Sequence, residues 1–285
     1  MRRRAEATAV RPVVACLMVA LLLAIAPAAQ PWGFEGHDLV NGQAITALPE
    51  PLRAFYSRHR ELVIRHSVDP DLFREFDPAE APRHFLDIDH YGRYPFSELP
   101  LEYRDAVAKF GKETVHRYGL VPWVIAWRYN AVVRAYRTRR FDQVMVHSAW
   151  LGHYVGDCHV PLHATENYDG QLTQQRGAHR RWETELVRRY VTREEIRPAP
   201  AVRLEGKIHH LARQWLLESY QLVEGVLQAD REALREEPFA WEKFRDAQIG
   251  VVRQRLTDAS HRLACLWYTA WLQAGQPELP TGRPR

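Results

Sequence analysis

The sequence predicts an all-α protein built as a single multi-helix domain, and three observations support this class. Apolar residues recur at helical spacing through most of the chain, and no segment shows the alternating pattern of a β-strand. There is no internal repeat and no low-complexity linker between two domains. The chain has 285 residues, of which 46% are hydrophobic and 26% charged, a composition typical of a globular protein with a sizeable core.

The first 31 residues are expected to be an export signal. A basic start, an apolar run over residues 13–26 and small residues at Ala26 and Ala28 follow the order of a secretory signal peptide. The apolar run is shorter than the ~20 residues of a membrane-spanning helix. We therefore predict cleavage between residues 28 and 31, and a secreted or periplasmic protein.

The remainder is predicted to be one domain over residues 32–275 with a flexible tail over residues 276–285. Residues 65–100 are rich in Pro, Asp and His without a sustained period, so this segment is expected to be irregular. Around it, the apolar spacing predicts helices over residues 39–48, 49–63, 101–118, 122–137, 141–159, 174–191, 204–228 and 238–273.

Charge and cysteine content narrow the functional classes. The net charge of +4 derives mostly from four arginines in the predicted signal, so it says little about nucleic acid or anionic lipid as a partner. Cys16 also lies in the signal. The remaining two, Cys158 and Cys265, either pair or lie buried as small apolar residues, and they are too few for a four-cysteine zinc site.

Residues 153–183 contain the clearest functional signal. His153 and Asp157 are four residues apart, so they project from one face of a helix, and His179 and Glu183 repeat this spacing. His163 follows near the end of the first of these helices. Because imidazoles and carboxylates are zinc ligands, the pattern predicts a hydrolytic metal cluster.

Other histidines and acids are weaker candidates. His37, Asp69 and His84 lie upstream in the order of a possible ligand set. His159 should point away from Asp157 on their shared helix, where it would support the ligands from outside. Solvated or packing positions are predicted for the other isolated histidines, namely His66, His116, His209, His210 and His261.

Five ordered motifs resemble the trinuclear zinc phosphoesterases. They are WGFEGH, HSVDPD, PRHFLD, HYVGDCHVPLH and HRRWE. This superfamily contains bacterial zinc-dependent phospholipases C and single-strand-specific zinc nucleases. The resemblance covers residues 32–183, and its most specific part is H-x3-D-x5-H followed by H-x3-[DE]. It implies a monomeric all-α domain, without a stable protein partner, whose metal cluster lies at the base of a cleft between helices.

The resemblance implies three zinc ions. The ligands of the first would be Asp69, His84, His153 and Asp157. The ligands of the second would be the amino group and carbonyl of Trp32, His37 and the shared Asp157. The ligands of the third would be His163, His179 and Glu183.

The resemblance also implies catalytic and substrate-binding residues. Asp69 would orient the attacking water and accept its proton, and Asp157 would bridge two ions. In a nuclease, Phe85 and Asp87 would stack on a base and hydrogen-bond to it, while Phe85 could equally be a packing residue.

Two positions depart from the pattern. A Trp32 amine ligand requires cleavage directly after Pro31, whereas signal peptidase prefers a small residue there. Nuclease members usually have an arginine three residues after the motif aspartate, and the residue three after Asp69 is Leu72. The second departure favours the phospholipase-like branch.

Three functions remain open. The first is a secreted phosphodiesterase that acts on phospholipid headgroups, with transient contact to a membrane surface. The second is a single-strand-specific nuclease or 3'-nucleotidase that uses the same metal site. The third is a non-catalytic, zinc-stabilised helical protein, which the size of the ligand set argues against because structural zinc sites are usually closed by four ligands.

Overall fold

The computed structural model describes residues 33–282, and its regular structure is helical throughout this range. The prediction of an all-α protein is therefore confirmed. The predicted signal peptide and Trp32 lie outside the described residues. Among those described, no helix combines the length and the hydropathy needed to cross a bilayer.

The helices of residues 33–282 have the following bounds. They are α1 (Gly33–Ala47), α2 (Leu52–Arg58), α3 (Arg60–Arg65), α4 (Asp69–Phe73), α5 (Tyr103–Phe110), α6 (Lys112–Arg117), α7 (Val121–Arg137), α8 (Phe141–Cys158), α9 (Ala178–Arg180), α10 (Leu186–Tyr190), α11 (Ile208–Tyr220), α12 (Val223–Ala233) and α13 (Trp241–Gln273). A π-helical turn, Arg181–Glu185, joins α9 to α10.

The long helix α8 lies at the centre of the core, where it packs against α1, α7 and α13. Its buried apolar side chains include Met145, Leu151 and Val155. On the α13 side, the ring of Trp267 stacks on Tyr56 with 4.5 Å between centroids. Because α8 is enclosed on several sides, polar side chains that it directs inward are removed from water.

Two glycines allow α1 to cross α8 at very short range. A Cβ atom at Gly152 would lie 1.6 Å from Asn41 Oδ1, and one at Gly156 would lie 3.2 Å from His37 Nδ1. Asn41 Nδ2 donates a hydrogen bond to the carbonyl of Ala149 across this crossing, at 3.2 Å. The close approach places His37 beside the inward-facing residues of α8.

Several predicted helices are shorter or divided. The helix predicted over residues 101–118 is interrupted at Gly111, whose φ of 83° does not fit a right-handed helix. The helix predicted from residue 174 begins at Ala178, because Gln174 and Gly177 adopt left-handed conformations. The stretch predicted over residues 204–228 forms two helices, α11 and α12.

The segment predicted to be irregular, residues 65–100, contains only short helical turns and is held by backbone hydrogen bonds. The amide of Leu120 donates to Pro82 O at 2.8 Å, and the amide of Leu86 donates to His163 O at 3.0 Å. These bonds fix the chain on both sides of His84.

The cysteines and the tail lie close to the core. Cys158 and Cys265 are free and buried, so they do not form a disulfide in this structure. Within the predicted tail, Leu279 is buried, and Pro280 O accepts a hydrogen bond from Arg58 at 2.8 Å.

Candidate metal centre

Asp157 is the residue around which the buried histidines gather. Its Oδ2 lies 3.0 Å from His84 Nδ1 and 3.3 Å from His153 Nε2. Its Oδ1 lies 3.7 Å from His37 Nε2 and 3.9 Å from His163 Nδ1. Since the two oxygens face different imidazoles, this carboxylate has the geometry to serve two cations at once.

The first donor group contains His37, Asp71, His84, His153 and Asp157. His84 Nδ1 lies 3.0 Å from His153 Nε2, and Asp71 Oδ1 lies 3.6 and 3.8 Å from these two nitrogens. The rings of His37 and His153 stack with 3.9 Å between centroids. Ligand atoms around a tetrahedral zinc ion lie about 3.3 Å apart. The group can therefore hold a metal ion.

The second donor group contains His163, His179 and Glu183. The Nε2 atoms of the two histidines are 3.2 Å apart, and Glu183 Oε2 lies 3.7 Å from His163 Nε2 and in direct contact with His179 Nε2. Glu183 belongs to the π-helical turn. Such turns inside helices are frequent at functional sites, because they redirect side chains.

Three of the histidines are oriented by backbone carbonyls. His153 Nδ1–H donates to Ser67 O (2.8 Å), His163 Nδ1–H donates to His84 O (2.7 Å), and His179 Nδ1–H donates to Tyr168 O (2.9 Å). A proton on Nδ1 leaves the Nε2 lone pair free and directed into the donor groups. This is the arrangement of metal-binding histidines, whose second nitrogen is normally held by a carbonyl or carboxylate.

Two buried carboxylate oxygens in residues 33–282 fit a bound cation. Asp157 Oδ1 and Glu183 Oε1 have no hydrogen-bond partner there. A buried polar atom without a partner is destabilising by about 1–3 kcal/mol. A cation would stabilise the two carboxylates, and a donor set of imidazole and carboxylate suits a divalent transition metal ion.

Burial controls the protonation of the first group. It raises the pKa of Asp157 to about 8 and that of Asp71 to about 6. It also lowers the pKa values of His37, His84 and His153. The imidazoles are thus neutral near pH 7, as metal ligation requires.

Attraction between opposite charges controls the protonation of the second group. Burial opposes the ionisation of Glu183, but contact with His179 and His163 outweighs it and lowers the pKa of Glu183. Burial likewise disfavours charge on the two histidines, and the nearby carboxylates nevertheless raise the pKa values of both. Without a metal ion, this group is a buried cluster of opposite charges.

Asp69, a predicted ligand and catalytic residue, is not brought to the donor groups. Its Oδ2 lies 2.7 Å from His66 Nδ1 and accepts a hydrogen bond from Trp150 Nε1 at 3.0 Å. The structure places Asp71 in the expected position instead. Residues two apart on α4 differ by about 200° in direction, so only one of the two aspartates can face the cluster.

The sequence contained a signal for Asp71. Arg74 lies three residues after Asp71, and its Nη1 is 3.5 Å from Asp71 Oδ1. In the zinc nucleases that the sequence resembles, an arginine usually follows the motif aspartate by three residues. If Asp71 is that aspartate, Arg74 is the arginine, and the departure noted at Leu72 no longer applies.

The predicted substrate residues flank His84 without joining a donor group. The carbonyl of Phe85 accepts a hydrogen bond from the amide of Val121 at 3.1 Å, and the amide of Asp87 donates to Tyr118 O at 2.8 Å. Burial, with the charge of Asp89 next, raises the pKa of Asp87 to about 8. Contact of Phe85 or Asp87 with a substrate stays a prediction.

A buried arginine, which sequence analysis did not identify, holds the end of α8. Arg255 Nε donates to the carbonyl of His159 at 3.2 Å, and its Nη2 donates to Ser219 Oγ at 2.8 Å. Ser219 Oγ in turn donates to Cys158 O at 2.7 Å. The side chain of His159 itself lies in this network, with its Nε2 2.9 Å from Arg262 Nη1. The network fixes the turn between Asp157 and His163.

Comparison with known proteins adds no relative. No protein-family model matches the chain, and no curated protein matches it. The candidate centre is thus defined by the donor geometry within residues 33–282.

Proposed function

We propose that this protein is a secreted, zinc-dependent phosphodiesterase with the fold of the phospholipase C and zinc nuclease superfamily. The observation that carries the proposal is the position of Asp157, whose Oδ2 faces His84 and His153 while its Oδ1 faces His37. A shared carboxylate between neighbouring cation sites is typical of multi-metal hydrolases.

The number of donors favours a catalytic centre over a structural one. The two groups together present eight side chains, which are His37, Asp71, His84, His153, Asp157, His163, His179 and Glu183. A structural zinc site is usually closed by four ligands. We still expect three zinc ions. After export processing, the amino group and carbonyl of Trp32 would complete the zinc site that contains His37.

The residues of the chain have separable roles in this proposal. When bound, zinc would lower the pKa of a coordinated water to about 7 and polarise phosphate oxygens. Asp71 is the better candidate for the proton-accepting role expected of Asp69, since its Oδ1 lies 3.6 Å from His84 Nδ1 and 3.8 Å from His153 Nε2. Arg74, beside Asp71 and partly exposed, can neutralise a bound phosphate.

Phospholipid is the first substrate proposed. Leu72, Phe73 and Phe76 directly follow Asp71 and are 40%, 41% and 82% exposed. An exposed apolar patch beside a hydrolytic centre favours transient contact with a lipid surface. The alternative, a single-strand nuclease, is favoured by the spacing of Asp71 and Arg74.

A substrate panel tests the proposal. The exported protein would be loaded with zinc and assayed on phosphatidylcholine, single-stranded DNA, RNA and bis(p-nitrophenyl) phosphate. We expect hydrolysis of the generic diester and of phosphatidylcholine, abolished in Asp157→Asn and unchanged in the control His261→Ala. Cleavage of only the nucleic acids would favour the alternative. Stable zinc binding with no hydrolysis would reject the enzymatic proposal.

A further inference from the structure

Outside the proposed centre, two adjacent histidines converge on one carboxylate. His209 Nε2 lies 3.1 Å from Glu102 Oε2, and His210 Nε2 lies 3.2 Å from Glu102 Oε1. The two imidazole rings are 4.5 Å apart and almost perpendicular, at 82°. Three potential metal ligands thus face one another within a few ångströms.

The fold produces this convergence by bringing two helix starts together. Glu102 immediately precedes α5, and the two histidines lie in the first turn of α11. Consecutive residues on a helix normally diverge by about 100°. Here both Nε2 atoms nevertheless reach the same carboxylate, because Glu102 approaches the start of α11 from a separate segment.

The site is open to solvent, unlike the buried donor groups. The side chains of His209, His210 and Glu102 are 17%, 35% and 40% exposed. An ion could therefore enter without opening the core. The residues also lie far from residues 153–183 in the chain, and none of them belongs to the donor groups of the candidate centre.

We propose that Glu102, His209 and His210 form a separate, exchangeable binding site for a divalent first-row transition ion, with zinc as the expected occupant. Two imidazoles and a carboxylate are the ligands that zinc takes in open three-residue sites, where water completes the coordination. The ion would link the segment before α5 to the start of α11.

Lys207 competes with the ion for this site. Its Nζ lies 2.5 Å from Glu102 Oε1, and its side chain is 61% exposed. The ammonium group can therefore turn into solvent when a metal ion replaces it. The positive ends of α5 and α11 also oppose a cation. Binding should consequently be weaker here than in the buried groups, and removing the lysine charge should strengthen it.

The test measures zinc binding by the full exported chain that already retains its tightly held metal. Isothermal titration calorimetry with zinc should show one additional site in the wild type. Loss of an outer-shell partner typically weakens metal binding about 10- to 100-fold. Loss of a direct ligand in His209→Ala, His210→Ala or Glu102→Gln should weaken this site by at least about 100-fold.

Two further variants distinguish an effect on this site from a general effect of removing a histidine. Lys207→Met should bind zinc several-fold more tightly, because it removes a competing charge. His116→Ala is the matched control: it removes a partly buried histidine that contacts Tyr103 of α5, and it should leave the titration unchanged. Melting temperatures of all variants would confirm that they remain folded.

Electron paramagnetic resonance with added Cu²⁺ provides a second readout. The wild-type spectrum should show coupling to two imidazole nitrogens, reduced to one in His209→Ala and in His210→Ala. Identical zinc titrations of the wild type and the two histidine variants would overturn the proposal. Weaker binding by Lys207→Met would overturn it too, since the lysine would then assist rather than compete. Neither result depends on phosphodiesterase activity.

Discussion

The two donor groups of the candidate centre solve the problem of buried charge in opposite ways. In the first group, burial raises the pKa of Asp157 to about 8, so a proton neutralises this carboxyl near pH 7. In the second, the pKa of Glu183 falls while that of His163 rises, so opposite charges neutralise each other. Metal binding near pH 7 must therefore displace a proton from the Asp157 carboxyl in one group and protons from imidazolium ions in the other.

Asp157→Asn should produce the largest effect, because it removes the carboxylate that faces both groups. We expect the zinc of the first group and all phosphodiesterase activity to be lost, while His163, His179 and Glu183 still hold one ion. Metal analysis after dialysis and an assay with bis(p-nitrophenyl) phosphate would measure both. Retained activity would contradict the bridging role.

Asp71→Asn tests whether Asp71, and not its neighbour Asp69, is a ligand in the first group. We expect loss of at least one ion and a fall in kcat of about 100-fold or more, since metal affinity is sensitive even to indirect partners. The matched variant Asp69→Asn removes the carboxylate charge beside His66 and keeps an amide oxygen that can accept from Trp150 Nε1. It should lower the free energy of unfolding by about 1 kcal/mol and retain its zinc. The reverse pattern would restore Asp69 as the ligand.

Glu183→Gln tests the ion cluster of the second group. The zinc content should fall by one ion, and the pKa values of His163 and His179 should fall because one of the charges that raise each of them is gone. NMR titration of the histidine Cε1–H signals in the metal-free variant would show this. Unchanged histidine pKa values would mean that another group holds these protons.

The stability of the metal-free protein should decrease as the pH rises from about 6.5 to 8. Folded Asp157 keeps its proton up to about pH 8, whereas the unfolded chain releases it near 3.8, so its stabilising effect is lost as pH rises through the folded pKa. The raised pKa values of His163 and His179 act in the same direction above 6.5.

The histidines of the first group, His37, His84 and His153, do not cancel this trend. Their pKa values are lowered, so they affect stability only below the ordinary value of 6.5. Urea denaturation at several pH values would measure the slope, and the zinc-loaded protein should show a much flatter one. A metal-free protein that becomes more stable over this range would disprove the charge assignment of the two groups.

The smallest effect is expected from Arg255→Lys, which acts on the turn that joins the groups. Lysine keeps the charge but cannot make the separate bonds to His159 O and Ser219 Oγ. We expect zinc affinity to fall by about tenfold. Arg253→Lys, on the same helix but partly exposed and paired with Glu195, is the control and should have no such effect.

Sequence patterns were sufficient for the helical class and for residues placed at fixed helical spacing. His153 and Asp157 form an i,i+4 pair that α8 aligns, and His179 contacts Glu183 across the π-helical turn. Helical periodicity did not distinguish Asp69 from Asp71, because the orientation of α4 depends on contacts with Trp150 and His66, and only the position of Arg74 pointed to Asp71. Glu102 and His209 are more than 100 residues apart, and only the packing of α5 and α11 brings them together.

The glycine crossing of α1 and α8 has a consequence for folding. Asn41 and Ala149, which are joined by a hydrogen bond there, are separated by 108 positions, and contacts of such large sequence separation form slowly. His37 reaches Asp157 only through the same docking step, so α1, the first helix of residues 33–282, completes a site whose other parts are synthesised later. In the exported protein that we propose, this step would follow translocation, and the metal supply of the destination compartment would determine which ion is bound.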